Sequence, residues 1–261
     1  MKHISSRDNP FFKELSRLAG SARQRGKANQ TLLDGAHLLA AYLDTGKQPQ
    51  HILLNAAALQ DIEILALVER VAGVPVTQLD DRLFAELSDL KTPTGILALI
   101  NLPQLSTVVA DSRFALLLEN IQDPGNLGSM LRSAAAAGCD AVFLSAGCAD
   151  AWSPKVLRAA MGGHFALDIY EQQNLLQVAD VFSGTLLAAS LQATQSLYDC
   201  DLRGSVAFLI GNEGAGLSPE LSERATQRMI IPMAGKIESL NAAAAVSICL
   251  FETARQRKTG P

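Results

Sequence analysis

Two five-residue runs, Phe114 to Leu118 and Val206 to Ile210, carry no polar side chain. A strand with one wet face alternates apolar and polar residues, so a run that is apolar throughout belongs to a strand covered on both sides. Around these two runs the second half of the chain alternates short apolar stretches, at 114–118, 141–144, 166–170, 185–189, 205–210 and 228–231, with helix-like stretches at 128–137, 153–161, 172–180 and 240–257. That alternation predicts an α/β fold with a mostly parallel sheet and helices on both faces. In such sheets ligands bind beyond the carboxyl ends of the strands, so the loops there are where chemistry is expected.

The first hundred residues read as a separate, smaller α/β domain. A helix is expected over 10–28, with Phe11, Phe12, Leu15 and Leu18 on its apolar face, followed by a polar loop. A second helix is expected at 36–43, and brief strands at 51–54, 74–78 and 96–100. Pro103 and several small or polar residues then interrupt the pattern. The division is therefore a domain over 1–101, a linker over 102–112 and a second domain over 113–261.

The net charge of −4 excludes a protein that coats nucleic acid nonspecifically, but it averages over an asymmetry. The first thirty residues hold seven basic side chains against Asp8 and Glu14, leaving the remainder acidic. Each charge alone is ordinary solvated surface. Together they make a local positive surface that attracts phosphates, with Arg7, Lys13, Arg23, Arg25 and Lys27 as candidate RNA contacts. No run reaches the ~18 apolar residues of a membrane span, and residues 1–10 are too polar for a signal peptide, so a cytoplasmic protein is expected. Neither the four cysteines nor the four histidines show ligand spacing. No metal is expected, and the cysteines read as buried free thiols.

Three loops follow strand-like runs. The first, 119–129, contains Pro124, Gly125 and Gly128 and leads into a helix bearing Arg132, expected about one turn inside it. The second, 211–217, has three glycines and Glu213, with Ser218 and Pro219 suited to cap the next helix. It lacks the Lys-Ser/Thr ending of a P-loop, and its glycine spacing does not fit a dinucleotide site. The third, 231–241, opens a helix rich in alanine, with Asn241 expected in its first turn. Each loop alone reads as an ordinary turn. Their convergence on one sheet edge is what makes a site.

The segments Asn126-Leu127-Gly128-Ser129-Met130-Leu131-Arg132, Ile210-Gly211-Asn212-Glu213-Gly214-Ala215-Gly216-Leu217-Ser218, and Ile231-Pro232-Met233 with Ser239-Leu240-Asn241 closely resemble, in order and spacing, the three motifs of the SpoU/TrmH class of SPOUT methyltransferases. The resemblance covers about residues 113–257, and residues 1–101 resemble the L30e-like RNA-binding domain that precedes it in ribosomal RNA methyltransferases. It implies a deep trefoil knot at the C-terminal end of the sheet, S-adenosylmethionine as cofactor, and a homodimer formed through the knotted domain. It implies a cofactor pocket of Leu191, Gly211, Gly216, Ile231, Met233 and Leu240. It gives Arg132, Asn126, Glu213, Ser239 and Asn241 the catalytic roles, with Arg132 also facing the RNA. The implied reaction is methyl transfer to a ribose 2′-hydroxyl, most naturally in 23S ribosomal RNA. The alternatives are a transfer RNA 2′-O-methyltransferase, a non-enzymatic RNA-binding protein on the same scaffold and, more remotely, a nicotinamide-dependent oxidoreductase.

Overall fold

The computed structural model describes residues 1–88, 90, 92–105 and 112–258. Most of the expected linker, 106–111, lies outside the described residues. The chain forms two compact units. The first comprises Met1–Gln104 together with Trp152–Phe165, and the second runs over 105–151 and from 166 onward.

The first unit is built on a five-stranded sheet in the order β1-β4-β3-β5-β2. Its strands are β1 (Lys2–Ile4), β2 (Gln30–Asp34), β3 (His51–Leu54), β4 (Val76–Leu79) and β5 (Ile96–Asn101). β1, β4 and β3 are parallel, whereas β5 runs antiparallel to both β3 and β2. Helix α1 (Pro10–Gly20) starts where the Asn9 side chain accepts from the amides of Phe11 and Phe12, and it buries Phe12, Leu15 and Leu18 against Leu32, Leu53 and Leu97.

The single helix expected over 10–28 is two helices. Ser21 adopts an extended conformation and its hydroxyl caps α2 (Ala22–Ala28), so the chain turns there. The polar loop expected after it contains β2, which pairs with β5 along its whole length. Helices α3 (Ala36–Leu43), α4 (Ile62–Arg70) and α5 (Asp81–Leu87) complete the N-terminal part.

The Trp152–Phe165 segment, which the sequence division places in the C-terminal domain, packs in this first unit. Its helix α7 (Pro154–Ala160) lies on β2, and the buried Thr31 hydroxyl donates to the Trp152 carbonyl at 2.8 Å. The Phe165 ring meets Tyr42 edge-on with centroids 5.3 Å apart.

The second unit is an all-parallel seven-stranded sheet in the order β10-β12-β9-β11-β6-β7-β8. In chain order its strands are β6 (Phe114–Leu118), β7 (Ala141–Ser145), β8 (Asp168–Gln173), β9 (Thr185–Ala189), β10 (Gln195–Ser196), β11 (Val206–Ile210) and β12 (Gln227–Ile230). β6 and β11 sit side by side in the middle, every residue buried, as their composition requires. Ala115, Leu117, Ala207 and Leu209 pack on one face against α8 (Leu175–Val181) and α9 (Pro219–Arg224). Alternation turns Phe114, Leu116, Phe208 and Ile210 to the other face. There α6 (Pro124–Ala137) and α10 (Ala242–Lys258) pack together, joined by a 2.8 Å bond between the Ser133 and Ser247 hydroxyls.

The end of α10 locks the sheet from below. Arg257 stacks over the Phe114 ring at 4.5 Å and donates to the carbonyls of Gly204 and Arg113. Gln256 donates to the Cys200 carbonyl and accepts from the Leu202 amide. Beside them Glu252 is buried, and the hydrogen bonds from Arg255 hold its carboxyl below the usual glutamate range. A depressed carboxylate pKa contributes stability above the unfolded value of ~4.3 and loses it as pH falls through the folded value. Glu252→Gln is therefore expected to flatten the fall in melting temperature below about pH 4, as read in a pH series of thermal melts.

Candidate active site at the strand ends

β6 and β11 are neighbours, yet the helices that follow them lie on opposite faces of the sheet. A crevice forms where adjacent strands diverge in this way, and the loops after β6 and β11 border it. The two loops are joined by specific bonds. The Glu119 amide donates to the Ile210 carbonyl, and the Glu119 carboxylate accepts from the Ser218 amide and hydroxyl, each at 2.7 Å. These charge-assisted bonds fix where the glycine loop ends and α9 begins.

Asn120 adopts the left-handed conformation, with φ at 55°. Its amide donates to the Ser145 hydroxyl and its carbonyl accepts from the Asn212 side chain, both at 2.9 Å. The Asn212 side-chain oxygen accepts from the amides of Gly214 and Ala215, while Asn212 and Gly216 exchange two backbone bonds. The loop is thus a closed curl. At Gly211 a Cβ would lie 2.1 Å from the backbone of Gly216, so no other residue fits without opening it.

The three loops meet in one hydrogen-bonded chain. The Asn126 amide group donates to Glu213 at 2.9 Å, and the Asn126 oxygen accepts from the Asn241 amide group at 2.9 Å. The Asn241 oxygen in turn accepts from the amides of Ala243 and Ala244 at the start of α10. A carboxylate only accepts and a helix N-terminus only donates, so the two ends set the direction of every amide between them.

Asn241 is therefore the N-cap of α10 and lies before its first turn. Helix α6 likewise starts earlier than expected, at Pro124, with Asp123 accepting from the Asn126 amide at 2.7 Å. Arg132 consequently stands eight residues into α6, about 12 Å along its axis rather than one turn in, with its side chain exposed. Ser239 is also exposed, and neither residue joins the chain of bonds.

The expected cofactor residues follow three adjacent strands. Leu191 comes just after β9, Gly211 directly after β11 and Ile231 directly after β12, and the order β12-β9-β11 sets these strand ends side by side. With neighbouring strands about 4.8 Å apart, the row is about 10 Å long, the reach of a nucleoside. Gly216 belongs to the curled loop, while Met233 and Leu240 lie in the third loop. Leu191 is 61% exposed, Leu240 41% and the neighbouring Ile237 75%. Large apolar side chains left open beside uncharged main chain suit an adenosyl group, whose ring is flat and neutral and is held by backbone donors and acceptors.

The basic N-terminal residues belong to the first unit and divide into two kinds. Arg23 and Lys27 are exposed on α2. Arg7 pairs with Glu86, and Lys13 with Asp8, while both keep exposed side chains. Arg25 does not belong to an exposed basic face. It is 5% exposed, and its guanidinium donates to the carbonyls of Leu18 and Ala19, satisfying groups that the end of α1 leaves unpaired. All four cysteines are free, and burial pushes the Cys249 thiol up to about 12, far from a nucleophile's range.

Sequence reasoning missed Glu119, Ser145 and Asn212. Each fixes a backbone turn, and only Asn212, two residues before a glycine, leaves a local sign of it.

Both parts of the chain resemble known proteins. Residues 113–251 match the SpoU rRNA Methylase family and residues 9–98 match the MRM3-like substrate binding domain. The chain is 33% identical to the 23S rRNA (guanosine(2553)-2′-O)-methyltransferase RlmP of Bacillus subtilis, over 96% of this chain and 98% of that protein. Among solved structures, an RNA 2′-O ribose methyltransferase superposes with a TM-score of 0.84 at 30% identity, covering 98% of this chain and 99% of the other. The SpoU methyltransferase AviRb of Streptomyces viridochromogenes, solved in complex with AdoMet, gives 0.85 at 27% identity, covering 97% of this chain and all of that one. A three-motif site at the switch point of a parallel sheet, the family match over more than half the chain and the end-to-end likeness to RlmP together make this chain a member of the SpoU rRNA methylase family.

Proposed function

We propose that the protein transfers a methyl group from S-adenosylmethionine to a ribose 2′-hydroxyl of large-subunit ribosomal RNA. The observation that carries this reading is the bonded chain Glu213–Asn126–Asn241, which draws the three motif loops together beside the row of strand ends. Full-length likeness to RlmP and the substrate-binding match over 9–98 support ribosomal RNA as substrate, with Arg7, Lys13, Arg23 and Lys27 offering phosphate contacts. The same reading places the protein in the cytoplasm as a homodimer of knotted domains. The half-exposed Phe251 on α10 offers an apolar contact for the second copy.

S-adenosylmethionine supplies an electrophilic methyl group on a sulfonium. The cradle of Leu191, Gly211, Gly216, Ile231, Met233 and Leu240 would hold the adenosyl part by main chain and apolar contact. The protein's own task is then to bring the ribose oxygen into line and to stabilise the charge that develops on it. A guanidinium keeps its proton at neutral pH and serves poorly as a base. Arg132 accordingly holds an RNA phosphate and stabilises the developing alkoxide, while the proton leaves late or to water. Glu213 orients Asn126 and Asn241, with Ser239 beside them.

Two measurements test this. Calorimetric titration with S-adenosylmethionine should give saturable one-site binding, and a non-enzymatic scaffold would show none. Glu213→Gln replaces an acceptor-only end with an amide that can face either way, so the direction of the chain is lost. Its methyl-transfer rate is expected to fall about tenfold, the worth of one charge-assisted bond, with little change in melting temperature.

A further inference from the structure

Next to the chain of bonded loops, the second unit has a cavity of about 360 Å³ at the carboxyl ends of β6, β7 and β8, distinct from the cradle at β9, β11 and β12. Its apolar floor includes Leu175 and Leu221, both buried, and Ala146 lines its side. The polar lining is made of amides, hydroxyls and carboxylates, with no lysine, arginine or histidine among the described residues.

Much of this lining is already committed. Ser218 donates to both oxygens of the Glu119 carboxylate, and the Ser145 hydroxyl is bonded to Asn120. The Asn174 oxygen caps α8 and the Gln173 amide group donates to the Glu171 carbonyl. The Asn120 and Asn174 amide groups remain as donors, with the Gln173 oxygen and the Glu220 carboxylate as acceptors.

The rim is strained. Asn120 in the lining and Gln172, the neighbour of the lining residue Gln173, hold positive φ, at 55° and 57°, and the pairing of β7 with β8 slips between Phe143 and Ser145. At Gly147 a Cβ would lie 1.9 Å from the Asn120 side-chain oxygen, so a larger residue there would displace that side chain from the wall. Non-glycine residues in such conformations persist where the surroundings enforce them and are concentrated at ligand clamps.

The chemistry selects the ligand class. Two carboxylates without a cation disfavour a phosphate, whereas amide donors facing amide and carboxylate acceptors above an apolar floor match the edge and face of a nucleobase. The volume is at the small end for ligand pockets and suits one nucleoside. The Asn120 wall is tied through Asn212 to the loop that carries Glu213, so a base held here lies against the site that receives the ribose. We infer that this pocket takes one unpaired nucleobase of the RNA substrate and gives the enzyme base selectivity. The inference rests on the RNA methyltransferase reading.

The test is saturation-transfer NMR on the full chain saturated with S-adenosylhomocysteine, which keeps adenosine out of the cofactor cradle. Adenosine, guanosine, cytidine and uridine are offered in turn, with ribose 5-phosphate as the base-free probe. At least one nucleoside should receive saturation while ribose 5-phosphate receives none, and Ala146→Trp, which fills the cavity, should abolish the signal. Glu220→Ala, on the exposed side of the pocket, should weaken it and serves if the tryptophan variant does not fold. With S-adenosylhomocysteine bound, the absence of any nucleoside signal, or a signal unchanged in both variants, overturns the pocket alone. Failure of S-adenosylhomocysteine itself to bind would remove the methyltransferase reading, and this inference with it.

Discussion

Arg132→Ala is expected to lower methyl transfer by about 10²–10³-fold, the usual cost of losing one preorganised donor to developing negative charge. Cofactor affinity should stay unchanged, because Arg132 is exposed on α6, about 12 Å along the helix from its start, and joins neither the curled loop nor the bonded chain. Stability should also stay unchanged, since an exposed helical arginine replaced by alanine keeps a good helix former. Arg132→Lys should recover little, because a lysine offers a point charge where a planar fork is needed to hold a phosphate and an oxygen together. Transfer kinetics and a cofactor titration on the same preparations separate these effects. Undiminished transfer by the alanine variant would remove Arg132 from the mechanism.

Gly211→Ala should give the opposite pattern. Its new methyl group would stand about 2 Å from the carbonyl carbon of Gly216, a backbone atom that cannot swing aside. Relief requires opening the Asn212–Gly216 curl, which carries the backbone that the cofactor is expected to touch. Overpacking of this kind costs about 1–3 kcal/mol, so cofactor affinity is expected to fall about tenfold or more, and transfer with it. The first-unit residues are untouched by the change. A circular dichroism melt together with calorimetry would show whether the loss falls on binding rather than on folding.

The sheet of the second unit is legible in the sequence because β6 and β11 are apolar at every position, which only a doubly covered strand tolerates. β1 and β2 are not legible. Lys2, His3 and Ile4 are too few to show a period, and Gln30 opens β2 among polar residues. The break at Ser21 depends on one residue leaving the helical conformation, which periodicity does not register. For α6 the signal is present, Asp123 before Pro124, but Gly125 and Gly128 weigh toward a loop.

At the site the same distinction holds. The loops and their residue types are local and readable, while the bonds that make them one site join residues 87 and 115 positions apart. Charge alone could not separate Arg25, whose guanidinium is turned inward onto helix carbonyls, from Arg23 two positions before it. Nor does any local pattern announce that Trp152–Phe165 packs with the first unit, because that depends on which sheet its apolar face meets.

The most direct test of the central claim is a map of ribose 2′-O-methylation across ribosomal and transfer RNA from cells with and without the gene. One nucleotide of large-subunit ribosomal RNA should lose its methyl group when the gene is removed and regain it when the purified protein and S-adenosylmethionine are added back. A map unchanged in every RNA would contradict the account, and loss confined to transfer RNA would overturn its choice of substrate.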